Sequence, residues 1–180
     1  MANIERPKAR KEYVCSKCGT AIKVGDTYVK GTPFRMKPII RCNTCGLRSW
    51  ELSSSDYIQA VGRVCECWQE DYGIDEGTPQ QIADELSSIR DDLQDRYDNL
   101  PENFQYSENG EMMQERIDNL DSAISDLERI DYESIKETVL SDNHYDDYDG
   151  LTDEGKEEVD ENIKDNLTEE IESALSCLEY

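Results

Sequence analysis

Apolar residues recur along the chain with two different periods, and the change falls near residue 50. Upstream, residues 12–15, 27–30 and 37–42 are short runs dominated by Val, Ile, Tyr and Thr, broken by Gly25-Asp26 and Gly31-Thr32-Pro33. Such runs predict short, half-buried strands. Downstream the spacing becomes helical. Asp56, three residues ahead of Gln59, predicts a helix start, and Tyr57, Val61, Val64, Cys65 and Trp68 share one face of a helix that stops near Tyr72-Gly73.

Thr78-Pro79-Gln80-Gln81 predicts a second start, with Thr78 as the capping residue and proline at the first helical position. From there Ile82, Leu86, Ile89, Leu93, Tyr97 and Leu100 step by threes and fours until Pro101. After the polar stretch PENFQYSENG, Met113, Ile117, Leu120, Ile124 and Leu127 resume the same rhythm. Two heptad-like segments joined by a short loop predict an antiparallel, coiled-coil-like hairpin over about 78–130. SDNHYDDYDG, residues 141–150, reads as a solvated acidic loop, and Val159, Ile163, Leu167, Ile171, Leu175 and Leu178 mark a last helix. The expected fold class is therefore α+β and mostly helical. A basic flexible tail (1–11) leads into a small β-ribbon (12–50), a helical region (51–140), and an acidic loop with a C-terminal helix (141–180).

Charge sharpens this division. Residues 1–50 carry eleven Lys/Arg against three acids, a net +8, while the other 130 residues carry eight against thirty-nine, a net −31. The two parts are expected to meet different surfaces, or each other. No apolar run approaches the roughly 20 residues that span a bilayer, and no signal peptide is evident. Seven cysteines then point to a reducing, cytoplasmic setting, in which paired cysteines more often hold metal than form disulfides.

The pairing is explicit. CSKCG at Cys15 and Cys18 and CNTCG at Cys42 and Cys45 are two Cys-x-x-Cys turns, each followed by a glycine that permits the tight return of the chain. The gap between them fits a ribbon that brings both knuckles together around one structural Zn²⁺. Four sulfur ligands close the coordination sphere and leave no place for a catalytic water. Cys65 and Cys67 point about 200° apart on a helix, so they do not form a second site; Cys65 is expected in the core, with Cys67 and Cys177 uninvolved. DDYDG is no calcium loop, because Tyr145 and Lys156 would fall at its first and last ligand positions. No phosphate loop, nucleophile elbow or His pair is evident, so no enzymatic activity is expected.

Two binding surfaces remain. Lys17, Lys23, Lys30, Arg35, Lys37, Arg41 and Arg48 decorate the ribbon, with Tyr13, Tyr28, Phe34 and Trp50 interleaved. This set could meet phosphates and stack on bases, or the aromatics could form the ribbon's own core. Asp91, Asp92, Asp95 and Asp98 form a stripe on one helix of the hairpin, matched by Asp118, Asp121 and Asp126 on the other. A stripe of this kind is a solubilising face, or an array of carboxylates that imitates duplex phosphates in a partner's basic cleft.

KEYVCSKCGTAIKVGD…IIRCNTCG with the Ser-rich helix start after it resembles small zinc-ribbon proteins of tailed bacteriophages, and DRYDNLPENFQYSENGEMMQERIDNLDSAISDLE is similar to a helical hairpin in such proteins. The resemblance implies an infected bacterial cytoplasm, where small acidic phage proteins bind host machinery. The expected function is a non-enzymatic, zinc-binding interaction factor aimed at a host protein with a basic surface, with nucleic-acid mimicry as its sharper form. The alternative is a nucleic-acid-binding accessory factor that uses the ribbon.

Overall fold

The computed structural model describes residues 4–33, 36–145, 147–178 and 180. The chain divides into two compact units, and the boundary after Gly62 falls inside a helix.

The first unit is built from very short strands: β1 (Ile4–Glu5), β2 (Tyr13–Val14), β3 (Ala21–Ile22), β4 (Tyr28–Gly31) and β5 (Ile39–Cys42). β1, β4 and β5 form an antiparallel sheet with β4 in the middle, and β2 and β3 form a separate antiparallel pair. The segment expected as a flexible tail is part of this unit. Ile4 pairs with Gly31 and Glu5 with Lys30. The Ala9 amide donates to Asp26 O (2.8 Å), the Ala9 carbonyl accepts from the Gly25 amide (2.8 Å), and Ala9 is 97% buried by its 3% exposure. These are backbone bonds to β4 and to the turn that precedes it, which no side-chain pattern in residues 1–11 announces.

Ala9, Cys15, Ile22 and Tyr28 form a small core, with Tyr13, Ile40, Cys42 and Cys45 packed against it. Gly31 is needed where β4 meets a short 3-10 turn, Trp50–Leu52: a Cβ there would lie 2.8 Å from the Leu52 methyls. The first turns of α1 (Asp56–Tyr72) close the unit, and Gly62 is met so closely by Trp50 that a Cβ would lie 2.6 Å from the Trp50 Cβ. The helix starts at Asp56 as expected, and Ser55 just ahead of it caps the first turn, its Oγ accepting from the Ile58 amide at 3.4 Å.

The second unit holds the rest of α1, then α2 (Thr78–Asp98), a single turn α3 (Glu102–Gln105), α4 (Glu108–Glu128), α5 (Tyr132–Asp142) and α6 (Asp153–Leu175). α2 packs along α4, α4 along α6 and α6 along α5. The expected hairpin is present: Ile82, Leu86 and Leu93 of α2 and Ile117, Leu120, Ile124 and Leu127 of α4 are buried. Val159, Ile163, Leu167 and Ile171 bury the inner face of α6.

Three local details depart from expectation. Thr78 does not cap α2 from outside; it lies within the first turn, fully buried, and its hydroxyl accepts from the Asp75 amide at 2.9 Å. Asp75 does the turning, since its carboxylate accepts from the Gly77 amide at 2.9 Å. The Asn-Leu-Pro-Glu turn carries the extra helical turn α3. α5 was not expected as a separate helix, because Val139 is its one buried side chain and gives little period to read. Asp131 starts α5 and Thr152 starts α6, each accepting amide hydrogens of the first turn.

Candidate metal centre

Each Cys-x-x-Cys segment folds as a tight knuckle. The Gly19 amide donates to Cys15 O (3.0 Å) and the Gly46 amide to Cys42 O (3.1 Å). Both glycines take a positive φ, +72° and +58°, a conformation that costs a residue with a side chain about 1 kcal/mol or more. The first knuckle hangs between β2 and β3, with the Cys15 amide donating to Thr20 O at 2.9 Å. Cys42 ends β5, and the Ser16 amide donates to Ile40 O at 2.9 Å, which ties the first knuckle to the strand that carries the second.

This framing brings the four sulfurs of Cys15, Cys18, Cys42 and Cys45 within 4.8 Å of one another. The Sγ atoms of Cys18 and Cys42 are 3.8 Å apart. That is about 1.6 times the ~2.3 Å zinc–sulfur bond, the edge of a tetrahedron drawn around such an ion. It is far beyond the ~2.05 Å of a disulfide. The expected ligand set is thus assembled as one candidate metal site by the fold itself.

Electrostatics separates the four thiols. Burial opposes ionisation of Cys15, but backbone N–H groups of Cys18, Cys42 and Lys17 and the Cys18 thiol outweigh it and lower its pKa to about 6. The Thr20 hydroxyl, 3.1 Å from Cys18 Sγ, and the Thr20 amide lower Cys18. Cys45 is pushed up to about 12 by the thiols of Cys18 and Cys42 first, and then by burial. A cation among the sulfurs reverses this last effect, because it replaces repulsion between thiolates by a shared attraction.

The remaining cysteines stay apart from the cluster. Cys65 is pushed up to about 12 by burial, with the nearby Cys177 adding to the effect. Cys177 Sγ contacts the carbonyl of Asn119 at 3.5 Å. Both behave as packing residues.

The basic residues of the ribbon do not form one surface set. Lys17, Lys23 and Lys37 are exposed. Lys30 is half-buried and pairs with Glu5 at 3.6 Å. Arg41 is largely buried against Glu51 at 2.6 Å, and Arg48 is half-buried, its amide donating to the same Glu51 carboxylate at 2.8 Å. Arg35 and Phe34 lie outside the described residues. The aromatics follow the bland expectation: Tyr28 is buried, its ring 5.1 Å from that of Tyr13, and Trp50 packs on Gly62.

Every acid of the two hairpin stripes is exposed, namely Asp91, Asp92, Asp95, Asp98, Asp118, Asp121 and Asp126. Some are partly neutralised. Arg90 bridges Asp91 and Asp121, at 2.7 Å each, and Arg129 reaches Asp126 at 3.2 Å. Periodicity located these acids but gave no sign of Arg90 as the residue that joins the two helices.

No protein-family model, no curated protein and no solved structure matches the chain. No described helix is long and apolar enough to cross a membrane.

Proposed function

We propose that Cys15, Cys18, Cys42 and Cys45 hold one structural Zn²⁺, and that the protein is a non-enzymatic interaction factor whose acidic helices dock on the basic surface of a protein partner. The observation that carries the metal assignment is the gathering of four sulfurs within 4.8 Å on two glycine-closed knuckles. Zinc suits an all-thiolate, four-coordinate site, and when bound it supplies cross-linking of the two knuckles. The chain's own part is to hold the sulfurs in place: backbone amides favour the Cys15 thiolate, and Thr20 favours that of Cys18.

The partner assignment rests on the exposed carboxylates of α2 and α4 against a net −31 outside the first fifty residues. The resemblance to phage zinc-ribbon proteins makes a host protein the partner, and a nucleic-acid-handling or defence protein is the sharper form. Rows of carboxylates on a packed helical pair can occupy a cleft shaped for phosphates. The rival reading, nucleic-acid binding by the ribbon, is favoured by the exposure of Lys17, Lys23 and Lys37. It is weakened because Arg41 is committed to Glu51 and Tyr28 to the core.

Capture from a bacterial lysate on immobilised, zinc-loaded protein tests the choice. Recovery of basic, nucleic-acid-handling proteins that falls when Asp91, Asp92, Asp95 and Asp98 are changed to Asn supports the acidic-partner reading. Binding of DNA or RNA at low salt, lost steeply as salt rises and abolished by Lys17→Glu/Lys37→Glu, supports the rival and overturns the acidic-partner reading.

A further inference from the structure

The α2–α4 connection ends in an open groove of about 430 Å³, lined by Tyr97 and Tyr106 and by the carboxyl groups of Glu111, Glu115 and Asp118. Beside it the chain exposes apolar side chains that a solubilising tip does not need: Tyr106 is 77% exposed, Phe104 55% and Met112 40%. The backbone under them is fixed. The Gln105 side-chain amide donates to the carbonyls of Tyr97 (3.2 Å) and Leu100 (3.3 Å), and the Ser107 hydroxyl donates to Phe104 O at 2.6 Å. Gly110 is pressed so closely under this turn that a Cβ would lie 2.5 Å from Phe104 O. Rings held out on a rigid frame lose little freedom when something binds them.

Charge decides what that something is. Asp118 accepts from the Gln114 amide at 2.9 Å, but no hydrogen bond or ion pair among the described residues takes up the carboxylate of Glu111 or Glu115. Aromatic faces next to open carboxylates suit a cation on an apolar stem. The stem lies on the ring, the ring quadrupole attracts the charge, and the carboxylates complete the pairing. Nucleic acid and anionic lipid are repelled by the same groups.

We infer that the tip of the α2–α4 hairpin is a docking site for a partner-protein segment that presents an Arg or Lys beside an apolar side chain, held between Tyr97, Tyr106, Glu111 and Glu115. The inference rests on the proposed basic partner and gives it a place. It puts the specific contact at the end of the hairpin, with the Asp91–Asp98 stripe supplying long-range attraction.

The test is a fluorescence-anisotropy titration of the full, zinc-loaded chain with a labelled peptide of alternating Arg and Leu, and one of alternating Glu and Leu as control. The Arg–Leu peptide binds and the Glu–Leu peptide does not. Tyr106→Ala weakens binding about fivefold, equivalent to ~1 kcal/mol, while Tyr106→Phe, which keeps the ring, stays within about twofold. Glu111→Gln/Glu115→Gln weakens it about tenfold or more, whereas Glu157→Gln/Glu158→Gln on α6 leaves it within about twofold. Failure of the Arg–Leu peptide to bind, or equal weakening by the α6 pair, overturns the inference. So does loss of binding in Asp91→Asn/Asp92→Asn with Tyr106→Ala silent, but that result leaves the basic-partner reading standing. Sedimentation showing a dimer that Tyr106→Ala dissolves would make a second copy the occupant and also overturn it.

Discussion

Arg41 and Glu51 form an ion pair of 2.6 Å with side chains only 15% and 16% exposed, and it joins the end of β5 to the 3-10 turn that follows the second cysteine knuckle. The Glu51 carboxylate also accepts the Arg48 amide, so one acid organises both flanks of the loop around Cys45. A positive charge that looks available on paper is thereby converted into a structural tie.

Arg41→Met leaves Glu51 buried without its partner and is expected to cost the ribbon unit about 2–4 kcal/mol, since breaking a buried pair from one side strands the other charge. Arg41→Met/Glu51→Met removes both charges and recovers most of the loss. Limited proteolysis of the N-terminal unit across the double-mutant cycle measures the coupling; equal sensitivity of the single and double variants contradicts it.

Thiol labelling reports the cluster directly. At pH 8 the zinc-loaded chain takes up iodoacetamide at no cysteine other than Cys65, Cys67 and Cys177, and a strong chelator adds Cys15, Cys18, Cys42 and Cys45. Cys65 is among the slowest, because a pKa of about 12 leaves a thiolate fraction on the order of 10⁻⁴ at that pH. Mass spectrometry of the labelled peptides reads all seven sites; full labelling before chelation refutes the metal assignment.

The same burial gives Cys65 a pH signature. Its folded pKa is raised above the ordinary 9.0, so the native state keeps a proton that the unfolded chain gives up. The associated stability is fully present below pH 9 and declines as pH rises from about 9 towards 12. Urea melts of Cys65→Ala start from a lower stability, because a half-buried side chain is truncated, yet show a shallower alkaline decline than the unchanged chain. An identical decline would remove Cys65 as its source.

Gly110→Ala is expected to destabilise the hairpin by about 1–3 kcal/mol, because the new methyl meets backbone carbonyls of the α3 turn that have nowhere to move. Gly155→Ala, near the start of α6, has only ordinary contacts at 3.5 Å or more and should be neutral or mildly stabilising. Thermal melts followed at 222 nm separate the two.

Thr152→Ala removes the hydroxyl that accepts the Gly155 amide at 3.2 Å and starts α6. The expected cost is about 1 kcal/mol, and Thr152→Ser should restore most of it. Chemical denaturation of both variants checks this.

The helical seam was legible because burial follows helical spacing: Ile82, Leu86 and Leu93 of α2 and Ile117, Leu120, Ile124 and Leu127 of α4 are buried, with Ile89 half-buried among them. The cysteine knuckles were legible because a local spacing and a glycine specify them almost alone. The pairing of Ile4 and Glu5 with β4 was not, since two residues of backbone bonding to a strand some 25 positions away leave no period behind. The tie of Arg41 to Glu51 was not legible for a related reason: nothing near Arg41 in sequence says that Glu51, ten residues on, folds back to cover it. Thr78 shows the limit of a terminus signature, because Thr-Pro-Gln-Gln marks the right turn of helix but places the cap at Thr78, whereas Gly77 holds that position and Asp75 accepts the Gly77 amide just ahead of it.

The four sulfurs also bear on how the chain ages. The ribbon unit buries only a modest set of apolar side chains, among them Ala9, Cys15, Ile22, Tyr28, Val29 and Leu52, so a ribbon held by thiolates depends on redox conditions and metal supply. The helices, packed on aliphatic side chains, depend on neither. An oxidant or a zinc-starved cell therefore silences the ribbon unit and spares the helical one, and an antibody against each unit shows a loss that total protein abundance conceals.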